Sequence, residues 1–257
     1  MPISEVFCCD CNDYMQQLPD KKISLAIVDP PYGNGISKKS RYGNKVTISK
    51  HSKNGKYVSV INKTEFISKN WDLKTPDKEY FNELLRVSKE QIIWGVNYYN
   101  YKFDSGRIVW DKVNGQTSFS DCEIAYCSYH TSVRLFAYMW NGMMQGESRE
   151  NGRKQQGNKQ LNEERIHPTQ KPVELYKWLL EKYAKPGDVI FDSHMGSQSS
   201  RIAAYEMGFD YYGCELDPDY FREGCERFEA YRQKKEEIAQ FGFAKSELGK
   251  TNPILFE

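Results

Sequence analysis

The stretch Pro186–Leu216, PGDVIFDSHMGSQSSRIAAYEMGFDYYGCEL, decides the fold. Pro186-Gly187 breaks the chain, and the apolar run Asp188–Phe191 (DVIF) then reads as a buried strand. Asp192–Ser200 is a turn of small residues. Ser199–Gly208 has helical patterning and closes on a glycine, and Tyr211–Leu216 is a second strand. Strand, turn, helix and strand in so short a span make half of a doubly wound α/β fold. Working outward, Ser4–Cys9, Ile23–Val28, Gln91–Val96, Arg107–Trp110 and Cys122–Ser128 read as further strands. Tyr80, Leu84, Leu85 and Val87 have helical spacing. Pro172–Tyr183 is a helix opened by proline, and Asp217-Pro218 opens the last long one. Strands separated by helices predict a mostly parallel, doubly wound sheet in a single domain spanning 1–257.

Composition narrows the function classes. Lys+Arg is 36 against 35 Asp+Glu, so any nucleic-acid face must come from local segregation of charge. No run of 18 apolar residues is present, which excludes a membrane helix as an expectation. The start, MPISEVFCCD, lacks the basic and apolar regions of a leader. The seven cysteines are odd in number and scattered, as expected of reduced cytoplasmic thiols. Cys122 and Cys127 have no second pair for zinc, so no metal is expected.

Three segments carry the chemistry. Asp29-Pro30-Pro31-Tyr32 follows the strand Ile23–Val28 directly, at the strand end where α/β sheets hold ligands. The prolines stiffen the turn and remove N–H groups that would compete for the carbonyls of Asp29 and Pro30. A carboxylate and a fixed carbonyl together can accept both protons of an exocyclic amine. That arrangement favours a pyramidal nitrogen with a localised lone pair, and Tyr32 offers a ring for the base to stack on. The bland alternative is an ordinary turn.

Second, strand Asp188–Phe191 runs through Asp192, His194, Gly196 and Ser197 into a helix N-terminus, a nucleotide-type cradle. Glu215 ends the next strand, 19 residues after Gly196 and next to Leu216, where a carboxylate suits ribose hydroxyls. A dinucleotide fingerprint would need glycine at 198 and 201, where Gln198 and Arg201 stand. Third, Arg165–Pro172 (RIHPTQKP) opens a helix. Thr169 and Gln170 suit a carboxylate or a cofactor. His167 reads better as a loop anchor than as a general base. Lys171 is either the partner of an acid or simply solvated.

Together these segments resemble the β class of S-adenosylmethionine-dependent DNA amino-methyltransferases. In that class the DPPY block precedes the cofactor block, as Asp29–Tyr32, WGVNYY (94–99), VWDK (109–112), HPTQKP (167–172) and GCELDPDY (213–220) do here. The likeness covers about residues 5 to 230. It implies a Rossmann-like class I fold with a seven-stranded sheet and one reversed strand. It also implies catalytic roles for Asp29, Pro30, Pro31 and Tyr32. The cofactor S-adenosylmethionine would then meet Asp10, Cys11, Asp29, Thr169, Gln170, Asp192, His194, Gly196, Ser197, Glu215 and Leu216. The family's turn is usually D-P-F-x-G-S-G. His194 here replaces the aromatic, and Gln198 replaces a glycine, which is expected to weaken cofactor binding.

The expected partner is double-stranded DNA, with the target base turned out of the stack. Gly33–Thr64 holds eight Lys/Arg and no acid, and reads as a basic loop whose Lys38, Lys39, Arg41, Lys45 and Lys53 meet phosphates. Segment 131–165 falls where the class keeps its target-recognition region. Gln145, Arg149, Asn151, Arg153 and Gln156 there are types that read base edges, Arg149 and Arg153 being the DNA-contact candidates. So short a segment suggests a short site, loose specificity or help from a second subunit, the last of these as a homodimer. The tail 245–257 reads as an arm. Adenine N6 is the expected target. Cytosine N4, or an inactive DNA-binding subunit, are the alternatives.

Overall fold

A computed structural model describes residues 2–35, 42–48, 59–65, 69, 72–114, 120–141, 144–148 and 162–250. Eleven strands are present among them, nine of which form one sheet. β1 (Ser4–Cys8), α1 (Cys11–Gln16) and β2 (Ile23–Val28) lead into a separate antiparallel pair, β3 (Tyr42–Ile48) and β4 (Ser59–Glu65). Next come α2 (Lys78–Val87), β5 (Ser88–Trp94), β6 (Arg107–Asp111), β7 (Cys122–Cys127), β8 (Val133–Asn141) and β9 (Met144–Ser148). The chain continues through α3 (Val173–Tyr183), β10 (Val189–Asp192), α4 (Ser199–Met207), β11 (Asp210–Glu215) and α5 (Pro218–Lys250).

The sheet order is β1-β11-β10-β2-β5-β7-β6-β8-β9. β1, β11, β10, β2 and β5 are mutually parallel, and β7 is antiparallel to both β5 and β6. The seven expected strands with one reversed are therefore present. The sheet then runs on through β8, parallel to β6, and β9, antiparallel to β8.

The apolar run ISLAIV forms a strand because both sheet faces are covered. Leu25 and Ile27 of β2, with Ile92 and Trp94 of β5, pack in the core under α3 and α4. Ala26, Val28 and Ile93 point the other way, against Met15 of α1 and Tyr80, Phe81 and Leu84 of α2. Each such side chain contributes about 1.5–3 kcal/mol on burial. Helix ends follow the local chemistry. Asp77 caps α2 by accepting the Tyr80 N–H at 2.9 Å, and Asp217 caps α5 by accepting those of Asp219 and Tyr220. Gly208 closes α4 at φ +79°.

Three expectations need correction. The basic segment 33–64 is not a loop throughout. Its runs Tyr42–Ile48 and Ser59–Glu65 pair as strands, in keeping with their aromatic and β-branched content. Segment 131–165 gives much of its length to β8 and β9, at the sheet edge. Helix α5 extends to Lys250, so the tail is helical as far as that residue.

The chain turns one way from β2 to β5 and the other way from β10 to β11. The switch point thus lies between β2 and β10, and a crevice opens there at the carboxyl ends of the strands. Asp29 follows β2, Asp192 ends β10, Glu215 ends β11 and Asp10 follows β1.

Candidate active site

A cavity of about 710 Å³ occupies that crevice. At one end Asp29 reaches its wall. Asp29 Oδ1 accepts from the Tyr32 hydroxyl at 2.7 Å, and Oδ2 is ion-paired with Lys171. Lys171 also lies 2.9 Å from Glu123 Oε2 and donates to the Tyr32 oxygen at 3.0 Å. The other Glu123 oxygen meets Lys112 at 2.5 Å. Lys171 is 2% exposed, with its ammonium 5.4 Å from the centre of the Tyr32 ring and 5.7 Å from that of Trp94. Burial pushes the Asp29 carboxyl up and Lys171 opposes the shift, while Glu123 adds to it. Burial would also raise Glu123, but Lys171 and Lys112 outweigh it and hold that carboxyl at about 2. Burial keeps Tyr32 a neutral phenol, well above its ordinary range.

Tyr32 is seated by a glycine. Gly95 has φ +77°, and a Cβ there would lie 2.2 Å from Tyr32 Cε1. The ring stacks on Tyr98 at 4.7 Å and 12°. The Tyr99 hydroxyl donates to the Pro30 carbonyl at 2.8 Å. No neighbouring N–H competes for that carbonyl, but this distant hydroxyl does, and one lone pair stays free of it.

The other end is built from backbone. Glu215 Oε2 accepts the Gly196 N–H and Oε1 the Asp217 N–H, each at 2.9 Å. Asp10 caps α1 by accepting the Asn12 N–H at 2.8 Å. His194 shares a hydrogen bond with Ser193 at 2.8 Å, and Ser193 another with Tyr80 at 2.7 Å. Burial lowers His194 to about 4. Burial, reinforced by Lys171, lowers His167 to about 3. His167 is thus a neutral ring, edge-on to Tyr220 at 4.3 Å and bonded to Thr169 at 3.1 Å. Through Thr169 it anchors its own loop.

The profile of the DNA methylase family, of the N6/N4 type, matches residues 23–226. The chain belongs to this family. Among curated relatives it is 25% identical to YubD of Escherichia coli (strain K12) over 240 residues, 90% of this chain and 92% of that one. It is 23% identical to the type II methyltransferase M1.MboII of Moraxella bovis over 262 residues, 86% of this chain and 94% of that protein. Among solved structures, the M1.HpyAVI–SAM complex is 16% identical with a TM-score of 0.48, covering 87% of this chain and 98% of that one. The cytosine-N4-specific PvuII DNA methyltransferase is 11% identical with a TM-score of 0.48, covering 91% and 93%.

In this DNA methylase, Asp10, Cys11, Asp29, Pro31, Thr169, Gln170, His194, Gly196, Ser197, Glu215 and Leu216 all line the one cavity. Pro30 and Tyr32 stand behind its wall. Asp192 does not line it. Its carboxyl takes the His194 N–H at 3.0 Å and the Ser200 hydroxyl at 2.6 Å, so it shapes the turn, and burial raises it to about 7. The Gln170 side chain staples its own loop, accepting from Ile166 and donating to Glu164, both at 3.0 Å.

Gln198 also departs from expectation. It holds the left-handed turn at φ 60°, but its side chain leaves the cavity. It is bonded to Arg201 at 2.9 Å and Cys225 at 3.3 Å and fills the space that Gly224 leaves open. Gln145 is buried and clamps both backbone groups of Glu163, so it is no reader of base edges. Lys38, Lys39, Arg41, Lys53, Arg149, Asn151, Arg153 and Gln156 lie outside the described residues, and Lys45 lies on β3, where only the backbone is described. Among the described residues no cluster could hold a metal, and no helix is long and apolar enough to cross a membrane. All seven cysteines are free thiols.

Sequence reasoning missed Glu123, Lys112, Tyr80 and Tyr176. Glu123 carried a signal: an acid inside a strand covered on both faces needs a partner.

Proposed function

We propose that the chain methylates the N6 amine of adenine in DNA, on a base turned out of the duplex. One observation carries this reading: the Asp29 carboxyl, on a proline-stiffened turn, faces the same cavity as the Gly196 turn and Glu215. The cavity residues suit S-adenosylmethionine. Gly196 turns at φ +47°, and its open side faces the His167 ring across the cavity, at 3.7 Å from where a Cβ would stand. Glu215 keeps lone pairs for ribose hydroxyls after its two backbone bonds. Asp10 and Cys11 would flank the cofactor's base, and Thr169, Gly196 and Ser197 its methionine end. When bound, that cofactor supplies a methyl group on a positively charged sulfur.

The chain's own residues prepare the amine. Asp29 accepts one N–H, and the free lone pair of the Pro30 carbonyl is available to the other. The nitrogen lone pair, localised by those bonds, would form the new C–N bond as the methyl's bond to sulfur breaks and its electron pair stays with the sulfur. The nitrogen then sheds a proton, which the Asp29 carboxylate can accept. Tyr32 and Tyr98 stack into an aromatic wall behind the Asp29 turn. The basic segment 33–64 follows Tyr32 directly in the chain and suits phosphates.

The test is to incubate the protein with DNA and methyl-labelled S-adenosylmethionine, digest the DNA and separate the nucleosides. Label in N6-methyldeoxyadenosine is expected. Label in N4-methyldeoxycytidine would overturn the choice of adenine, and no label in any nucleoside would overturn methyl transfer itself.

A further inference from the structure

Behind the Asp29 turn, two carboxylates and two ammoniums share one buried site, and they come from four separate parts of the chain. Lys171 precedes α3, Glu123 sits on β7, Lys112 follows β6 and Asp29 follows β2. Buried clusters of this kind add little stability over apolar residues of similar volume, because desolvation offsets the attraction. Removing one member, however, leaves its partners uncompensated. The Tyr32 hydroxyl ties the cluster to the aromatic wall, lying 2.7 Å from Asp29 and 3.0 Å from Glu123, with one proton to give.

We propose that Lys171 and Glu123 are positioning residues for methyl transfer: Lys171, anchored by Glu123, keeps the Asp29 carboxylate ionised and fixed at the cavity wall, and Glu123 fixes Lys171 and the Tyr32 hydroxyl. The inference rests on the methyl-transfer reading of this site. It follows from the geometry that the two residues push Asp29 in opposite directions. The ammonium favours its charged form, and the neighbouring carboxylate disfavours it. The other titratable groups facing Asp29 are the phenols of Tyr32, Tyr80, Tyr99 and Tyr176, held neutral by burial, and the Asp192 carboxyl on β10. Lys112 faces Glu123, not Asp29.

The experiment is single-turnover methyl transfer to DNA, at saturating cofactor and DNA, across the pH range for wild type, Lys171→Met, Lys171→Arg and Glu123→Gln. Melting and equilibrium cofactor binding are measured on the same preparations. Lys171→Met should slow transfer about 10- to 100-fold at neutral pH. Its acid limb should move up by about one pH unit or more. Glu123→Gln should move the limb down, and Lys171→Arg should bring it back toward wild type. Cofactor affinity should stay within about 3-fold throughout. Limbs that do not move, or move the same way in Lys171→Met and Glu123→Gln, would overturn the proposal, since a purely structural role shifts neither. If Lys171→Met does not fold, Glu123→Gln decides alone: a lowered limb supports the proposal, and an unmoved or raised one overturns it. A wild-type protein without transfer would overturn the methyl-transfer reading beneath it.

Discussion

The two ends of the cavity are built differently. At the Glu215 end, carboxylates accept mainly from backbone N–H groups of the turns around the cavity: Asp10 from Asn12, Asp192 from His194 with the Ser200 hydroxyl, and Glu215 from Asp217 and from Gly196 on the turn after β10, while Asp217 also pairs with the distant Lys69. At the Asp29 end, the charges balance one another side chain to side chain, with Lys171 and Glu123 meeting Asp29 and Tyr32 across the sheet. The first end is a backbone mould that suits a cofactor of fixed shape. The second is a set of side chains held in place by one another, where charge can be tuned for the reacting amine.

This contrast predicts separable failures. Asp29→Ala removes the acceptor of the amine proton and should lower single-turnover methyl transfer about 100- to 1,000-fold. Gly95→Ala forces a methyl onto the Tyr32 ring at a positive φ. Displacing the ring should slow transfer about 100-fold without a matching loss of cofactor. If cofactor binding falls equally in Gly95→Ala, the two ends are mechanically one. Glu215→Gln removes the ribose acceptor's charge and should weaken cofactor about 10-fold by isothermal titration, with the rate at saturation largely kept. Gln198→Gly relieves the left-handed residue and deletes contacts to Arg201, Phe221, Gly224 and Cys225, all away from the cavity. Cofactor affinity should change less than about 3-fold, and a larger change would return Gln198 to the cavity wall.

Legibility in the sequence follows the same division. The Glu215 end is local. A strand, a small-residue turn and the next strand end lie within one short stretch, so their neighbours in sequence are their neighbours in space. The parallel sheet was readable for a related reason, since runs such as ISLAIV register burial on both faces. The Asp29 end was half legible. The DPPY turn announced itself, but Glu123 sits 91 residues beyond Tyr32 and Lys171 139 beyond it, and no periodicity connects them. Lys171 therefore read equally as solvated or paired. The seat of Asp192 was misjudged because a carboxyl at a strand end can face either the ligand or its own turn, and only the positions of Ser200 and the His194 N–H separate the two. The β3–β4 pair is masked by its charge: eight cations in 33–64 interrupt the β-branched runs that form its strands.

The most direct test of the account is the cofactor affinity of Asp29→Ala beside that of Glu215→Gln, measured by titration on the preparations used for the rates. The separation of the two ends predicts that Asp29→Ala binds S-adenosylmethionine within about 3-fold of wild type while Glu215→Gln loses about 10-fold. An Asp29→Ala protein that melts like wild type yet loses as much cofactor affinity as Glu215→Gln would contradict it.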